Sequence, residues 1–224
     1  MSSAHLFRFS SIVLVLGAVI DAVYDIVLSL VFPNTGPGLP MSAPTNALWG
    51  PLWMAGFIAT ILVLLGLPGL YLRQASHAGV VGFIGVLLTT IGFLLSAIAA
   101  PIFFIVTLPY LATHAPNAFN NAFVDSGIAF FGLGGAVLLL VGLILLGIAT
   151  IRAAVFPRLT GILILVGGIL TPASILGNTL IVSLIGAVGV ALVMVGFAWI
   201  ALHLTSPMEM NTAAPSLPLT GATH

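Results

Sequence analysis

The chain has 224 residues, of which 61% are hydrophobic and 4% are charged, and its formal net charge at pH 7 is zero. A soluble protein of this size needs charged side chains over much of its surface, so this composition excludes a water-soluble fold. The four basic residues are single arginines scattered along the chain. They form no patch that could neutralise several phosphates, and no nucleic-acid partner is expected.

Apolar runs of membrane-spanning length follow one another along the chain, and about 20 such residues in a helix cover the roughly 30 Å hydrocarbon core of a bilayer. The sequence therefore predicts an all-α, polytopic transmembrane helical bundle with six spans in one domain over residues 1–204. The third span is too long for one straight perpendicular helix, so we expect it to tilt or to bend at Pro101. The predicted spans are 9–32, 47–72, 79–108, 123–151, 159–176 and 180–204.

The segments between the predicted spans are shorter and more polar. We expect a tight turn over residues 73–78 and a polar loop over residues 109–121. Trp49 and Trp53 begin the second span and are predicted to lie at headgroup level, where amphipathic rings accumulate. Residues 205–224, rich in proline, serine and threonine, are predicted to form a disordered cytoplasmic tail.

An even number of spans places both termini on the same side of the membrane. Arg8, Arg73, Arg152 and Arg158 then all fall on that side, whereas the loops on the other side contain no lysine or arginine. Because cytoplasmic loops are enriched in positive residues, this distribution predicts an N-in/C-in orientation.

Asp21 and Asp25 are the candidates for a functional site, because they lie one helical turn apart near the middle of the first span. A carboxylate at the centre of a spanning helix costs roughly 2.5 to 3.5 kcal/mol, so both should face the interior of the bundle. Desolvation and mutual repulsion disfavour ionisation of both groups, and we expect at least one to be protonated at neutral pH. Such a pair could relay protons or bind a cation.

A structural role for the same two residues stays open. The acids could hydrogen-bond Thr89, Thr90 or Ser96 on a neighbouring span, or lie at a hydrated end of the first span. The predicted spans contain no lysine or arginine that could serve as a counter-ion. That absence favours neutral carboxyl groups or a bound cation over a salt bridge.

Three pairs of glycines are spaced seven residues apart, which places each pair on one face of a predicted span, two turns apart. Missing side chains let helix backbones approach closely, so we interpret these glycines as helix-packing positions. They are Gly85 and Gly92, Gly135 and Gly142, and Gly189 and Gly196.

The usual signatures of enzymes and cofactor sites do not occur in the sequence. There is no G-x-G-x-x-G loop after a strand, no Walker lysine, no H-E-x-x-H and no G-x-S-x-G. Cysteine is absent, and the histidines do not share the helical spacing that metal or haem ligation requires. Asp125, which follows Asn120 and Asn121 at the start of the fourth predicted span, is interpreted as a helix-capping residue. We therefore predict no enzymatic activity, no metal and no cofactor, and a membrane-embedded enzyme that acts on lipid stays open as a further alternative.

Two stretches resemble a widespread group of uncharacterised bacterial multi-pass membrane proteins. They are residues 64–75, with the sequence LLGLPGLYLRQA, and residues 156–163, with the sequence FPRLTGIL. The resemblance implies about six helices and a location in the bacterial inner membrane. The group has no assigned activity, so the resemblance implies no functional residues, and the first span with its two aspartates matches the group least.

The sequence predicts an integral membrane protein whose partner is the lipid bilayer, and it leaves the biochemical function unknown. One alternative is a proton- or cation-coupled small-molecule transporter that uses Asp21 and Asp25. The other is a structural or regulatory membrane subunit that docks a membrane partner or a second copy of itself through its glycine-rich helix faces.

Overall fold

The protein is described by a computed structural model that covers residues 3–33, 39–119, 127–173 and 179–204. Within these ranges the regular structure is helical and no strand occurs, so the all-α prediction is confirmed for the described chain. The elements are α1 (Ser3–Val31), α2 (Trp49–Ala100), a π-helical segment (Pro101–Thr107), α3 (Leu108–His114), α4 (Pro116–Phe119), α5 (Ile128–Ala153), α6 (Arg158–Leu170) and α7 (Leu180–Leu204). The tail predicted over residues 205–224 lies outside the described residues.

Four helices of the described chain are long and apolar enough to cross a membrane. These helices lie in α1, α2, α5 and α7, and α2 is far longer than a single crossing requires. As one straight helix the 52 residues of α2 would be about 78 Å long, more than twice the hydrocarbon core of a bilayer.

A sharp kink at Gly79 divides α2 into a first arm, 49–78, and a second arm, 80–100. Gly79 adopts φ 57° and ψ −160°, a backbone conformation that is strained for residues with a side chain. Contacts with α5 show that the two arms fold back on each other. Gln74 of the first arm contacts Thr150, and Gly85 of the second arm contacts Leu146, one turn away on the same helix. The tight turn predicted over residues 73–78 is therefore wrong. Helix-favouring residues continue the first arm through these positions, and the chain turns at the glycine that follows.

Residues 109–121 were predicted to form a polar loop, and this prediction is also wrong. Residues 108–114 and 116–119 are helical instead. Proline lies in the first turn of both α3 and α4, because its fixed φ suits the start of a helix. The predicted bend at Pro101 corresponds to the start of the π-helical segment.

The helices succeed one another around the bundle in chain order, and each runs antiparallel to its neighbours. Close contacts fix this register: Gly17 meets Val63, Gly92 meets Leu139, and Gly161 meets Ile151. The circle closes between α7 and α1, where Ser11 Oγ donates a hydrogen bond to the Ala201 carbonyl at 2.7 Å. The first residues of α1 and the last residues of α7 therefore lie at the same end of the bundle.

All four arginines lie at that end, which we call the arginine end. Arg8 is in the first turns of α1, Arg73 precedes the kink in α2, and Arg152 and Arg158 flank the connection between α5 and α6. The guanidinium of Arg73 lies 5.9 Å from the ring centre of Phe7. The opposite end carries the aromatic residues described below, and we call it the aromatic end.

The outer surface of the bundle is apolar. On α1 one stripe at helical spacing is between 39% and 60% exposed. Its members are Ile12, Leu16, Val19, Val23, Ile26 and Leu30. Large apolar side chains face outwards while the two aspartates of α1 face inwards, which is the reverse of a soluble helix bundle and is typical of a protein surrounded by lipid.

The interior contains two large hydrophobic clusters. The first is aliphatic apart from a few phenylalanines, and it extends from the middle of the bundle to the arginine end, with Leu14, Ala18 and Leu204 among its members. The second lies at the aromatic end and includes Leu28, Phe32, Trp49, Trp53 and Phe103. Along α1 the last buried member of the first cluster is Ala18 and the first of the second is Leu28, and both aspartates lie between these two residues.

Candidate functional site

Asp21 and Asp25 lie on the buried seam of α1, between the two hydrophobic clusters. Asp21 is only 9% exposed, and Asp25 is half-buried. The seam continues through Ala18 towards the arginine end and through Ser29 towards the aromatic end, both of which are buried. The pair thus lies on the interior side of the helix, opposite the exposed apolar stripe.

Small residues hold this part of α1 against the first arm of α2. A Cβ atom on Gly17 would lie 2.8 Å from the Val63 backbone nitrogen, closer than side-chain carbons approach in proteins. Level with the pair, between Asp21 and Asp25 along α1, a Cβ on Gly56 would lie 2.5 Å from the ring of Tyr24. These two close approaches hold the aspartate-bearing part of α1 against the first arm of α2.

One carboxylate oxygen of the pair lacks the hydrogen bond that a purely structural role would provide. Asp25 Oδ2 is buried and has no hydrogen-bond partner in the described chain. Thr89 Oγ1, which the sequence suggested as a partner, is also buried and without one, because Thr89 packs against Gly142 of α5. The proposed hydrogen bond between the aspartates and Thr89 is therefore not formed.

No cationic side chain in the described ranges neutralises the pair. The arginines are at the arginine end, several helical turns from Asp21 and Asp25, and the described residues contain no salt bridge between these groups. A buried carboxylate that has neither a counter-ion nor a hydrogen-bond donor is costly in its ionised form. The pair must bind a proton or a cation, or receive water, to remain stable in the bundle.

An aromatic cluster adjoins the aspartates on the side of the aromatic end. The ring of Tyr24, next to Asp25 in sequence, meets Trp53 edge-to-face with centres 6.0 Å apart. Trp53 stacks almost parallel on Phe104, with ring centres 3.7 Å apart and an interplanar angle of 6°. The cluster consists of Tyr24, Phe32, Trp49, Trp53, Phe103 and Phe104.

The two tryptophans of the cluster differ in their hydrogen bonding. Trp49 Nε1 donates to the carbonyl oxygen of Phe104 at 2.6 Å. In the i to i+5 pattern of a π-helix that carbonyl would accept from residue 109, but Pro109 has no N–H. Trp49 thus supplies the missing donor, whereas Trp53 Nε1 is buried and has no partner in the described chain.

Trp49 and Trp53 were predicted to lie at headgroup level, which stays a prediction, and the structure buries both side chains within the protein at the aromatic end. Trp49 is 1% exposed and Trp53 is 9% exposed. The indole rings serve as packing partners for the π-helical segment and for the end of α1. Sequence position near the end of a span could not distinguish these two uses of an aromatic ring.

The two best-defined cavities of the described chain do not reach the aspartates. The larger, of about 340 Å³, is a shallow apolar groove between α6 and α7. The smaller, of about 90 Å³, lies beside Phe32 and Ala43 at the aromatic end. The described residues also contain no group of three or more histidine, aspartate or glutamate side chains that could hold a metal ion.

The six glycines singled out from the sequence lie at contacts between helices of the same chain. Gly85 and Gly92 of the second arm face α5, and Gly135 and Gly142 of α5 face the second arm. Gly189 and Gly196 of α7 face α6. For Gly85, Gly92 and Gly189, an added Cβ would lie 2.6 to 2.7 Å from backbone nitrogens of the facing helix.

Other glycines with the same role were missed, and apart from Gly161, which pairs with Gly168, they do not recur at a seven-residue spacing. Gly17, Gly66 and Gly69 join α1 to the first arm of α2, and Gly147 and Gly161 join α5 to α6. Two of these, Gly66 and Gly69, belong to the sequence LGLPGL around Pro68, and the helix passes through this proline without a break. A glycine count by helix face, without a fixed period, would have found them.

No family model, curated protein or solved structure matches this chain. The residues of the candidate site are therefore interpreted from their own geometry: two inward-facing carboxyl groups without a counter-ion, bounded by glycine contacts and by an aromatic cluster.

Proposed function

We propose that the chain is a six-span integral membrane protein of the bacterial cytoplasmic membrane with both termini in the cytoplasm. We further propose that Asp21 and Asp25 form its proton- or cation-binding site, and that the protein couples the movement of that ion to a small solute. The observation that carries the site is the orphaned, buried Oδ2 of Asp25 beside buried Asp21, within a bundle whose outside is apolar.

The six-span topology is supported by the kink at Gly79. Each arm of α2 is long enough for a crossing of its own, with 30 residues in 49–78 and 21 residues in 80–100. The two arms pack against different helices, α1 and α5. The helix α6 has 13 residues and ends at Leu170, where Thr171 still has helical backbone angles. The predicted fifth span continues to residue 176, which lies outside the described residues.

The N-in/C-in orientation is supported by the charge distribution. The four arginines lie together at one end of the bundle, and the described residues at the aromatic end contain no lysine or arginine. With the arginine end in the cytoplasm, the protein obeys the positive-inside rule. The aromatic end then faces outwards, and the aspartates lie between the two faces.

The transport proposal follows from the energetics of the pair. Each intramembrane carboxylate costs roughly 2.5 to 3.5 kcal/mol on insertion scales, and structural use would offset that cost with hydrogen bonds. The described structure gives Asp25 Oδ2 no such bond and gives the pair no counter-charge. An ion that binds and leaves is a use for which these two side chains are suited, since one turn of helix keeps them within reach of the same ion.

The test is ion flux in reconstituted vesicles. The purified protein is incorporated into liposomes that contain a pH-sensitive dye, a proton or sodium gradient is imposed, and solute-dependent dissipation is measured across a panel of small solutes. The variant in which Asp21→Asn and Asp25→Asn are combined should abolish the protein-dependent flux, because amides neither release protons nor attract cations.

Asp125→Asn is the matched control, since it removes a carboxylate outside the predicted site and outside the described residues. It should retain the flux. Equal flux from wild type and the double Asn variant, at equal reconstitution yield, would contradict the proposed role of the pair.

The alternative of a subunit that docks partners through glycine faces receives less support. All six glycines predicted for that purpose contact helices of the same chain, so their faces are already occupied. A partner would have to bind another part of the apolar surface.

A further inference from the structure

We propose, resting on the cation site proposed above, that the ion recognised there is an organic cation, a quaternary or protonated amine, held between the aspartate pair and the aromatic cluster. Carboxylates supply the negative charge, and the ring faces of tyrosine and tryptophan attract a cation through their quadrupoles. Asp25 Oδ2 is buried and has no hydrogen-bond partner in the described chain, which leaves this oxygen available to a cation.

Tyr24 connects the two parts of this site. It precedes Asp25 on α1, and its ring meets Trp53 of α2 edge-to-face. Gly56 makes room for this arrangement, because any side chain at that position would overlap the Tyr24 ring. Tyr24 therefore joins the helix that carries the aspartates to the aromatic cluster.

The choice between an organic and an inorganic ion follows from the ligands available. Hard inorganic cations such as Mg²⁺ and Ca²⁺ take six or more oxygen ligands. The described residues contain no cluster of three or more carboxylate or imidazole groups, and the pair supplies only two carboxylates. Aromatic rings outnumber oxygen ligands on the side of the aromatic end, which is the pattern that recognises a large, weakly hydrated ammonium group.

Phe104 occupies the position on the Trp53 face that such a cation would take. Its ring lies 3.7 Å from that of Trp53 and nearly parallel to it, and parallel sandwiches are the least favourable arrangement of two neutral rings. Phe104 lies on the π-helical segment, a form that is less stable than an α-helix and often marks functional positions. The cation therefore displaces the Phe104 ring from Trp53 when it binds.

The test uses the full-length protein in detergent, with Trp199→Phe as the background so that fluorescence comes from Trp49 and Trp53. The probe is benzyltrimethylammonium, and its neutral isostere neopentylbenzene controls for non-specific partition. The cation should change the fluorescence saturably, and the isostere should not. The combined Asp21→Asn and Asp25→Asn variant should weaken binding by about tenfold or more.

Two further variants separate the aromatic contribution from the charge. Trp53→Leu, monitored through Trp49, should weaken binding by several-fold, whereas Phe104→Ala should tighten it, because the ring that competes with the cation is gone. If Phe104→Ala does not fold, Phe104→Leu removes the ring while filling most of its volume. Equal responses to the cation and its isostere, or equal affinity in wild type and the double Asn variant, would overturn the proposal.

The outcome also separates this proposal from the transport proposal. If benzyltrimethylammonium does not bind but proton or sodium flux still depends on Asp21 and Asp25, only the organic-cation assignment is wrong. If neither binding nor flux depends on the pair, both proposals are wrong.

Discussion

The two halves of the bundle are held together by different means, and the aspartate pair lies where they meet. Towards the arginine end, helices approach backbone to backbone at glycines such as Gly85 and Gly161. Towards the aromatic end, α1, α2 and the π-helical segment are joined by ring contacts and by the hydrogen bond from Trp49 to Phe104. A backbone contact at a glycine has no side chain that could change rotamer and let the helices move apart. Aromatic side chains can change rotamer, so contacts between rings can rearrange. Conformational change that exposes the aspartates is therefore expected at the aromatic end.

The largest effect is expected where a glycine contact between helices is blocked. A Cβ on Gly142 would overlap the backbone nitrogen of Thr89, so Gly142→Ala should destabilise the protein by about 3 kcal/mol or more, since a helix backbone must shift. Gly134→Ala in the same helix is the matched control, because nothing lies within 4 Å of its added Cβ. Thermal unfolding in detergent measures both variants. Equal melting temperatures would show that glycine packing does not stabilise this half.

The aromatic half is tested by its single indole hydrogen bond. Trp49→Phe leaves the Phe104 carbonyl without its donor and should cost about 1 to 3 kcal/mol. Trp53→Phe is the matched control: it also shortens an indole to a phenyl ring, but the Trp53 N–H has no partner to lose in the described chain. The same unfolding assay applies. A Trp53 variant as unstable as the Trp49 variant would mean that ring size, and not the hydrogen bond, holds the π-helical segment.

The smallest effect is expected at the turn between the arms of α2. Gly79 has a positive φ of 57° and open space around it, so Gly79→Ala should cost about 1 to 2 kcal/mol through backbone strain alone. Gly50→Ala, also in open space but within a regular part of α2, is the comparison. If Gly79→Ala is as stable as Gly50→Ala, the kink does not depend on glycine, and the separation of α2 into two arms has another cause.

Most of the helices could be predicted because a helix that crosses a bilayer needs about 20 consecutive apolar residues, which are easily recognised in the sequence. Leu180–Leu204 forms the sixth predicted span with the predicted bounds, since nothing in that apolar run interrupts a helix. The errors occurred where a single residue decides the backbone. The chain turns at Gly79 and not over residues 73–78, and the prolines at 109 and 116 begin helices where a loop was expected.

The candidate site could be predicted only in part. Asp21 and Asp25 were found because charged residues inside an apolar run are conspicuous and because their spacing puts them on one face. Their neighbours could not be found, since Trp53 and Phe104 are about 50 residues apart in the chain and stack only after α2 has folded back on itself.

The sequence by itself indicated that the protein is surrounded by lipid, that it is helical, and that its two carboxyl groups face inwards. These features follow from composition and from the spacing of residues within one helix. The tertiary structure decided which helix each glycine meets, which rings surround Tyr24, and that Asp25 Oδ2 has no partner in the described chain. Those facts depend on contacts between distant residues, and in a chain with this many similar apolar helices, spacing along the sequence does not specify them.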